Sequence, residues 1–320
     1  MKIKMFFLKV LVLTILLLIA IIILFYGINP NIEENYCKAY INKRNRVVSL
    51  QENKMIFVGG SNVNFAIESK TIQDTFNKKV VNMGFVSGLG AKFQLNVIQP
   101  YLKAGDVVVL SFEYPYFFEE GLIIAGSGIN MCMFYRTDPT FLDYFPMPES
   151  FIIIMKEVNA LLVSQYLGNI LLKLNPRKKP LIETTPYIPE SHNEFGDNVS
   201  KLVVDISTKR MINNVVIQFN NDTAMKMISM LNEFNNHCKN IGVKCVFSFA
   251  TYEKEMYKKN KENIQKIHTL MKEKLQIPLI NSPENCSYEY IYYFDTVYHL
   301  NKTGKQIHTQ KLIQDLKKYL

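Results

Sequence analysis

The stretch KMIFVGGSNVNFAIES, Lys54 to Ser69, runs from a short β-rich apolar segment into two glycines, a serine and the apolar spacing of a helix opening. A serine at such a junction has its hydroxyl at the carboxyl end of a strand, beside the unpaired amides of a helix start. Those amides suit the oxyanion of an acyl-transfer nucleophile. A strand-to-helix junction also favours serine as a plain N-cap. Ser61 therefore has two readings, and the rest of the chain decides between them.

Downstream of Ser61, apolar strands alternate with helical periodicity, the pattern of an α/β fold with a parallel sheet. The strand candidates are Met55–Gly59, Val80–Met83, Asp106–Phe112, Val243–Phe249 and Ile277–Ile280. Helices are predicted over 62–69, 89–102, 222–241, 253–275 and 302–319. The expected architecture is three-layered, α/β/α, with about five parallel strands whose carboxyl ends bear the site. Between the third and fourth strands, residues 115–221 exceed a plain crossover and are expected to form a large insertion. Within it, Pro148 to Leu172 reads as a helix and Pro176 to Pro189, with its RKK cluster, as an exposed loop.

Upstream, Lys2, Lys4 and Lys9 precede an uncharged apolar run from Val10 to Ile28, while Glu33 and Glu34 follow it. At about 20 residues the run is long enough to span a bilayer. The positive flank predicts a cytoplasmic N-terminus and an extracytoplasmic remainder. No small-residue cleavage site follows, so residues 1–28 read as an uncleaved signal anchor and the only membrane tether. Residues 29–53 read as a polar stalk with a short helix near Tyr36 to Asn42, and 54–320 as the α/β domain.

The 320 residues carry a formal charge of +9. The lysines are scattered, and with no compact basic motif a nucleic-acid partner is not expected; an anionic membrane surface or envelope polymer fits better. The five cysteines contain no C-x-x-C pair, so no zinc site or full disulfide framework is indicated. Cys238 and Cys245 pair if the turn between them is tight; otherwise all five are buried thiols. His192, His237, His268 and His308 lack metal-ligand spacing, and neither metal nor cofactor is expected. His192, in the loop SHNEFGD, reads as a surface-loop residue, with reach into a site from the insertion as the alternative.

Near the C-terminus, YFDTVYHLNKTG (Tyr293 to Gly304) forms a loop that would return over the first strand's end. A serine nucleophile needs a base, and the base needs an acceptor on its other ring nitrogen. His299 and Asp295 supply both. With these residues in place the chain resembles the SGNH/GDSL hydrolase superfamily. The likeness is to the membrane-anchored, extracytoplasmic branch associated with membrane-bound O-acyltransferases, similar to cell-envelope polysaccharide O-acetyltransferases and to lipoteichoic acid D-alanine-transfer proteins. It rests on GGSN (Gly59 to Asn62), NMGFVSGLG (Asn82 to Gly90) and DTVYHLN (Asp295 to Asn301), over roughly residues 54–114 and 243–320. It implies Ser61 as nucleophile, His299 as base, Asp295 as its partner, and the amide of Gly88 or Gly84 as an oxyanion donor.

Three departures stand out. Gly60 takes the place of the usual acidic residue before the serine. No Gly-x-Asn-Asp follows the third strand, where the chain reads SFEYPYF (Ser111 to Phe117), which leaves one oxyanion donor unassigned; Asn62 and Asn130 are the candidate substitutes. The acid and base are four residues apart, where three is common. Glu113 reads either as a ligand or general acid, or as a carboxylate bonded to strand-end amides. Tyr114 and Tyr116 either line a sugar cleft by stacking or pack in the core.

The expected function is serine-dependent transfer of an acyl group, acetyl in the first place, to a hydroxyl of an envelope polysaccharide, or hydrolysis of such an ester, through an acyl-Ser61 intermediate. The resemblance implies a membrane-bound O-acyltransferase protein as partner. The alternative is a non-catalytic subunit of the same fold that binds glycan or scaffolds an envelope complex, which the missing Gly-x-Asn-Asp block supports.

Overall fold

The computed structural model of the chain describes residues 2–27, 36–51, 53–124, 137–145, 147–148, 186–201, 203 and 216–320. Four parallel strands form the central sheet: β1 (Lys54–Gly59), β2 (Lys79–Asn82), β3 (Val107–Ser111) and β4 (Lys244–Phe247). Their order is β2-β1-β3-β4. β1 and β3 are buried along their whole length, as expected of central parallel strands covered on both faces. Alternation along the pleat divides their side chains between two cores. Ile56, Val58, Val108 and Leu110 pack into one, while Met55, Phe57, Val107 and Val109 pack into the other.

The expected fifth strand is reduced to a single parallel bridge between Phe247 and Leu279. The Phe247 N–H donates to the Pro278 carbonyl and the Ile280 N–H returns to Phe247 O. Pro278 has no N–H of its own, and a strand cannot be extended through it on a paired edge. A separate parallel pair joins β5 (Tyr252–Glu253) to β6 (Ser287–Tyr288).

Helix α1 (Lys2–Gly27) is long and apolar enough to cross a membrane, and none of its Ile3–Ala20 segment is buried against the protein. Helix α2 (Cys37–Ser49) begins at the short helix expected near Tyr36 to Asn42, runs on beyond it, and packs on the domain in place of the rest of the polar stalk expected there. Cys37, Tyr40, Lys43 and Val47 recur at helical spacing and are buried on the domain. The lysine within that stripe hides its apolar character in the sequence.

The helices that follow are α3 (Ser61–Ala66), α4 (Ser69–Phe76), α5 (Ala91–Ile98), α6 (Glu120–Ile124), α7 (Asn221–Asn240), α8 (Lys254–Lys274) and α9 (Lys302–Leu316). Met227, Leu231 and Phe234 of α7 and Ile264 and Ile267 of α8 join one core; Ile72 of α4 and Leu312 and Ile313 of α9 join the other. The caps follow side-chain chemistry: Asn220, Glu253 and Asn301 each accept from first-turn amides of α7, α8 and α9.

At the sheet end opposite the site, Lys54 Nζ and Asp106 Oδ2 meet at 2.9 Å with both side chains fully buried. The Asp106 carboxylate also accepts the backbone N–H groups of Lys54 and Lys103. The pair thus ties the start of β1 to the turn before β3.

The helix expected over Pro148 to Leu172, Asn130 and Cys132 lie outside the described residues, as do residues 176–185 of the expected loop. The end of the insertion, residues 186–201, packs onto the domain. Asp197 accepts from Ser69 N, Ser69 Oγ and Asn82 Nδ2 at 2.6–2.9 Å. Asn198 N donates to Asn64 O. Cys238 and Cys245 are adjoining free thiols, the Cys245 sulfur hydrogen-bonded to Cys238.

Candidate active site

Ser61 begins α3 at the carboxyl end of β1. Gly59 pairs with Ser111 in the β1–β3 register, so Ser61 and Glu113, each two residues further on, emerge side by side. A side chain at Gly59 would meet the Ser111 carbonyl at 1.9 Å, so only glycine permits this approach of the two strand ends. Ser61 Oγ donates to Glu113 Oε1 at 2.9 Å, and the Asn62 N–H donates to the same oxygen at 3.0 Å. Glu113 is buried. It accepts from a backbone amide, as one of its two readings expected, and that amide belongs to the first turn of α3; it also touches the candidate nucleophile.

Asp295 and His299 are brought together by their own loop. Tyr293 and Leu300 form an antiparallel bridge, the Phe294 N–H donates to His299 O, and Thr296 Oγ1 accepts from the amides of Tyr298 and His299. This tight closure absorbs the four-residue spacing. His299 Nδ1 lies 2.7 Å from Asp295 Oδ1. An ionised aspartate only accepts, so Nδ1 carries the proton and Nε2 is left as the acceptor.

Burial alone would raise the Asp295 pKa. The hydrogen bonds and charge of His299, with the Tyr187 hydroxyl, outweigh that and hold the carboxyl below the ordinary aspartate range.

The imidazole of His299 stacks on Phe65 with centroids 4.3 Å apart and planes at 14°. Phe65 lies four residues after Ser61 on α3, hence on the same helix face. The base candidate thus lies along the face that bears the nucleophile candidate. The two are not hydrogen-bonded to each other; the Ser61 hydroxyl goes to Glu113.

Two tyrosines at this centre are not legible as site residues in the sequence. Tyr187 Oη donates to Asp295 Oδ2 at 2.5 Å and lies 3.3 Å from His299 Nδ1. Burial and the neighbouring Asp295 charge push its pKa up. It belongs to the stretch expected to be an exposed loop, which is held down by Asn198 Nδ2 donating to Pro186 O.

Tyr36, just before α2, accepts from Asn64 Nδ2 at 2.9 Å, stacks on Phe85 and meets the Tyr187 ring edge-on at 5.8 Å. His192 joins the same cluster, 5.6 Å from Tyr36, so it is not the free surface-loop residue expected. Burial, with Lys43 nearby, pushes it down to about 3. Lys43 Nζ, fully buried, donates to Asn64 Oδ1 and the Gly84 carbonyl.

Two of the remaining candidates, Gly84 and Asn62, are occupied otherwise. The Gly84 N–H donates to Asn82 Oδ1, and Asn62 Nδ2 donates to the Ser111 carbonyl and hydroxyl. Neither supplies a free oxyanion donor, which corrects both expectations. Gly88 lies in the 3-10 turn Ser87–Leu89, and Tyr116 Oη donates to Ser87 O. Tyr114 and Tyr116 are fully buried, so they are core residues and not a sugar-stacking surface. Tyr114 packs edge-on against Tyr252, and Tyr116 against Phe112.

A cavity of about 340 Å³ opens between α4, residues 193–203 and α9, lined by Glu68, Asp197, Lys302 and Lys305 among others. Ser61, Glu113 and His299 do not line it. Among the described residues no cluster of three or more His, Cys, Asp or Glu is arranged to hold a metal ion.

No protein-family model matches the chain, and no curated protein is significantly similar to it.

Proposed function

We propose that this chain is a membrane-anchored serine acyl-transfer enzyme of SGNH type, working outside the cytoplasmic membrane on a hydroxyl of an envelope polysaccharide. Ser61 takes an acyl group from a donor, and His299, oriented by Asp295, activates the hydroxyl that receives it. When water is the acceptor the same chemistry is ester hydrolysis. The observation that carries this reading is the stacking of the Asp295-bound His299 imidazole on Phe65, one turn along α3 from Ser61. The basic flank ahead of α1 supports an extracytoplasmic domain, and the family resemblance supports a membrane-bound O-acyltransferase as acyl donor.

A second reading has its own support. Because the Ser61 hydroxyl is bonded to Glu113 and not to His299, the fold also suits a non-catalytic glycan-binding or scaffolding subunit.

Turnover of a chromogenic acetyl ester by the full chain in detergent separates the two. Ser61→Ala and His299→Ala are each expected to lower kcat by about 10³-fold or more, with KM little changed. Turnover that is absent from the wild type, or equal in Ser61→Ala, favours the scaffold.

A further inference from the structure

The Ser61 hydroxyl has one hydrogen, and it is committed to Glu113 Oε1. The contact is built by the fold. The Gly59–Ser111 pairing sets the two residues level. Gly60 leaves the carboxylate its room, since a Cβ there would stand 2.7 Å from Oε1. No lysine, arginine or histidine forms an ion pair with Glu113 among the described residues. The buried hydroxyls of Tyr116 and Tyr298 feel its charge, which helps to push their pKa values up. A buried carboxylate with no counter-ion among the described residues, set against a serine hydroxyl, is placed to receive its proton.

We infer that Glu113 is the base that takes the Ser61 proton during acylation, leaving His299 and Asp295 to act on the acceptor in the second half of the cycle. This rests on Ser61 being the nucleophile. Ser61 Oγ forms a bond to the acyl carbon as its proton passes to Glu113 Oε1. The acyl carbon's bond to the leaving alcohol or thiol then breaks, and the leaving group takes that proton from Glu113. In the second half the acceptor hydroxyl attacks the acyl-Ser61 carbon, its proton passes to His299 Nε2, and the imidazolium returns it to Ser61 Oγ.

Charge suits Glu113 to the first of these steps. With Glu113 as base, the carboxylate is neutralised in the same step in which the oxyanion develops, and no second negative charge is added.

The test follows fluorophosphonate labelling of Ser61 over time in the full chain, with wild type, Ser61→Ala, Glu113→Gln, Glu113→Ala and His299→Gln. Here Ser61 Oγ displaces fluoride from phosphorus, so only the first proton transfer is read. Glu113→Gln keeps the shape and both hydrogen-bond acceptances and is expected to slow labelling by about a hundredfold or more. His299→Gln, which blocks turnover, is expected to slow it by no more than about tenfold. Glu113→Ala leaves room for a small carboxylate, and formate but not chloride is expected to restore part of its rate, a response that a packing role for Glu113 would not give. Labelling of Glu113→Gln at the wild-type rate, or His299→Gln as slow as Glu113→Gln, would overturn the inference while Ser61 remains the nucleophile. A wild type that does not label at Ser61 would overturn both.

Discussion

At the candidate site the charge of Asp295 is set by the groups that touch it. Asp295 stays ionised because His299 and Tyr187 donate to it, and that charge fixes the His299 tautomer with Nε2 unprotonated. His308, away from this centre, shows burial with a like charge, Lys311, near it. It is fully buried, its Nδ1 2.9 Å from Tyr288 Oη, and desolvation pushes its pKa down to about 3. Its folded-state value lies below the unfolded value of about 6.5, so the unfolded chain binds the proton first as pH falls. The stability held above about pH 6.5 is therefore lost progressively toward pH 3. Urea denaturation of the protein at pH 7.5 and 5 is expected to show a drop at the lower pH, and His308→Gln is expected to show a smaller one. An unchanged pH dependence in that variant would mean that His308 is not buried neutral.

At the level of elements, the pairing of β1 with β3 does most to assemble the site, and the buried Lys54–Asp106 pair fixes its start. Removing one partner leaves an uncompensated buried charge. Asp106→Asn is expected to destabilise the domain by about 3–5 kcal/mol in equilibrium urea denaturation. A loss under about 1 kcal/mol would show that water reaches Lys54.

The elements also show what the sequence can disclose. The β1–Gly–Gly–Ser61–α3 junction and helices α7, α8 and α9 are legible because each is a local pattern of apolar period and capping residues. The Asp295–His299 pairing is legible because one short loop contains both. Glu113 as a partner of Ser61 is not, since it depends on register between strands about 50 residues apart. Tyr187 and Tyr36 are not, because a Pro-rich loop and a polar linker hide the residues that pin them down. Tyr114 and Tyr116 fit a cleft or a core equally in sequence, and only the burial of η-hydroxyls and rings beneath β3's end decides for the core.

On the scale of the whole molecule, the apolar helix α1, long enough to cross a membrane, and the candidate site are close along the chain. Tyr36 belongs to the cluster around His299, and only residues 28–35 separate it from the end of α1. Eight residues reach at most about 30 Å even when extended. Tyr36, and the cluster it belongs to, is therefore held near the end of α1.

The central claim is an acyl-Ser61 intermediate, and trapping it is the most direct test. The full-length His299→Gln protein, in which the second half-reaction is blocked, is incubated with an activated acetyl ester, digested and mapped by mass spectrometry. Acetyl is expected on the peptide that contains Ser61, and on no peptide of the Ser61→Ala/His299→Gln double variant. Acetyl absent from Ser61, or accumulating equally on the double variant, would contradict it.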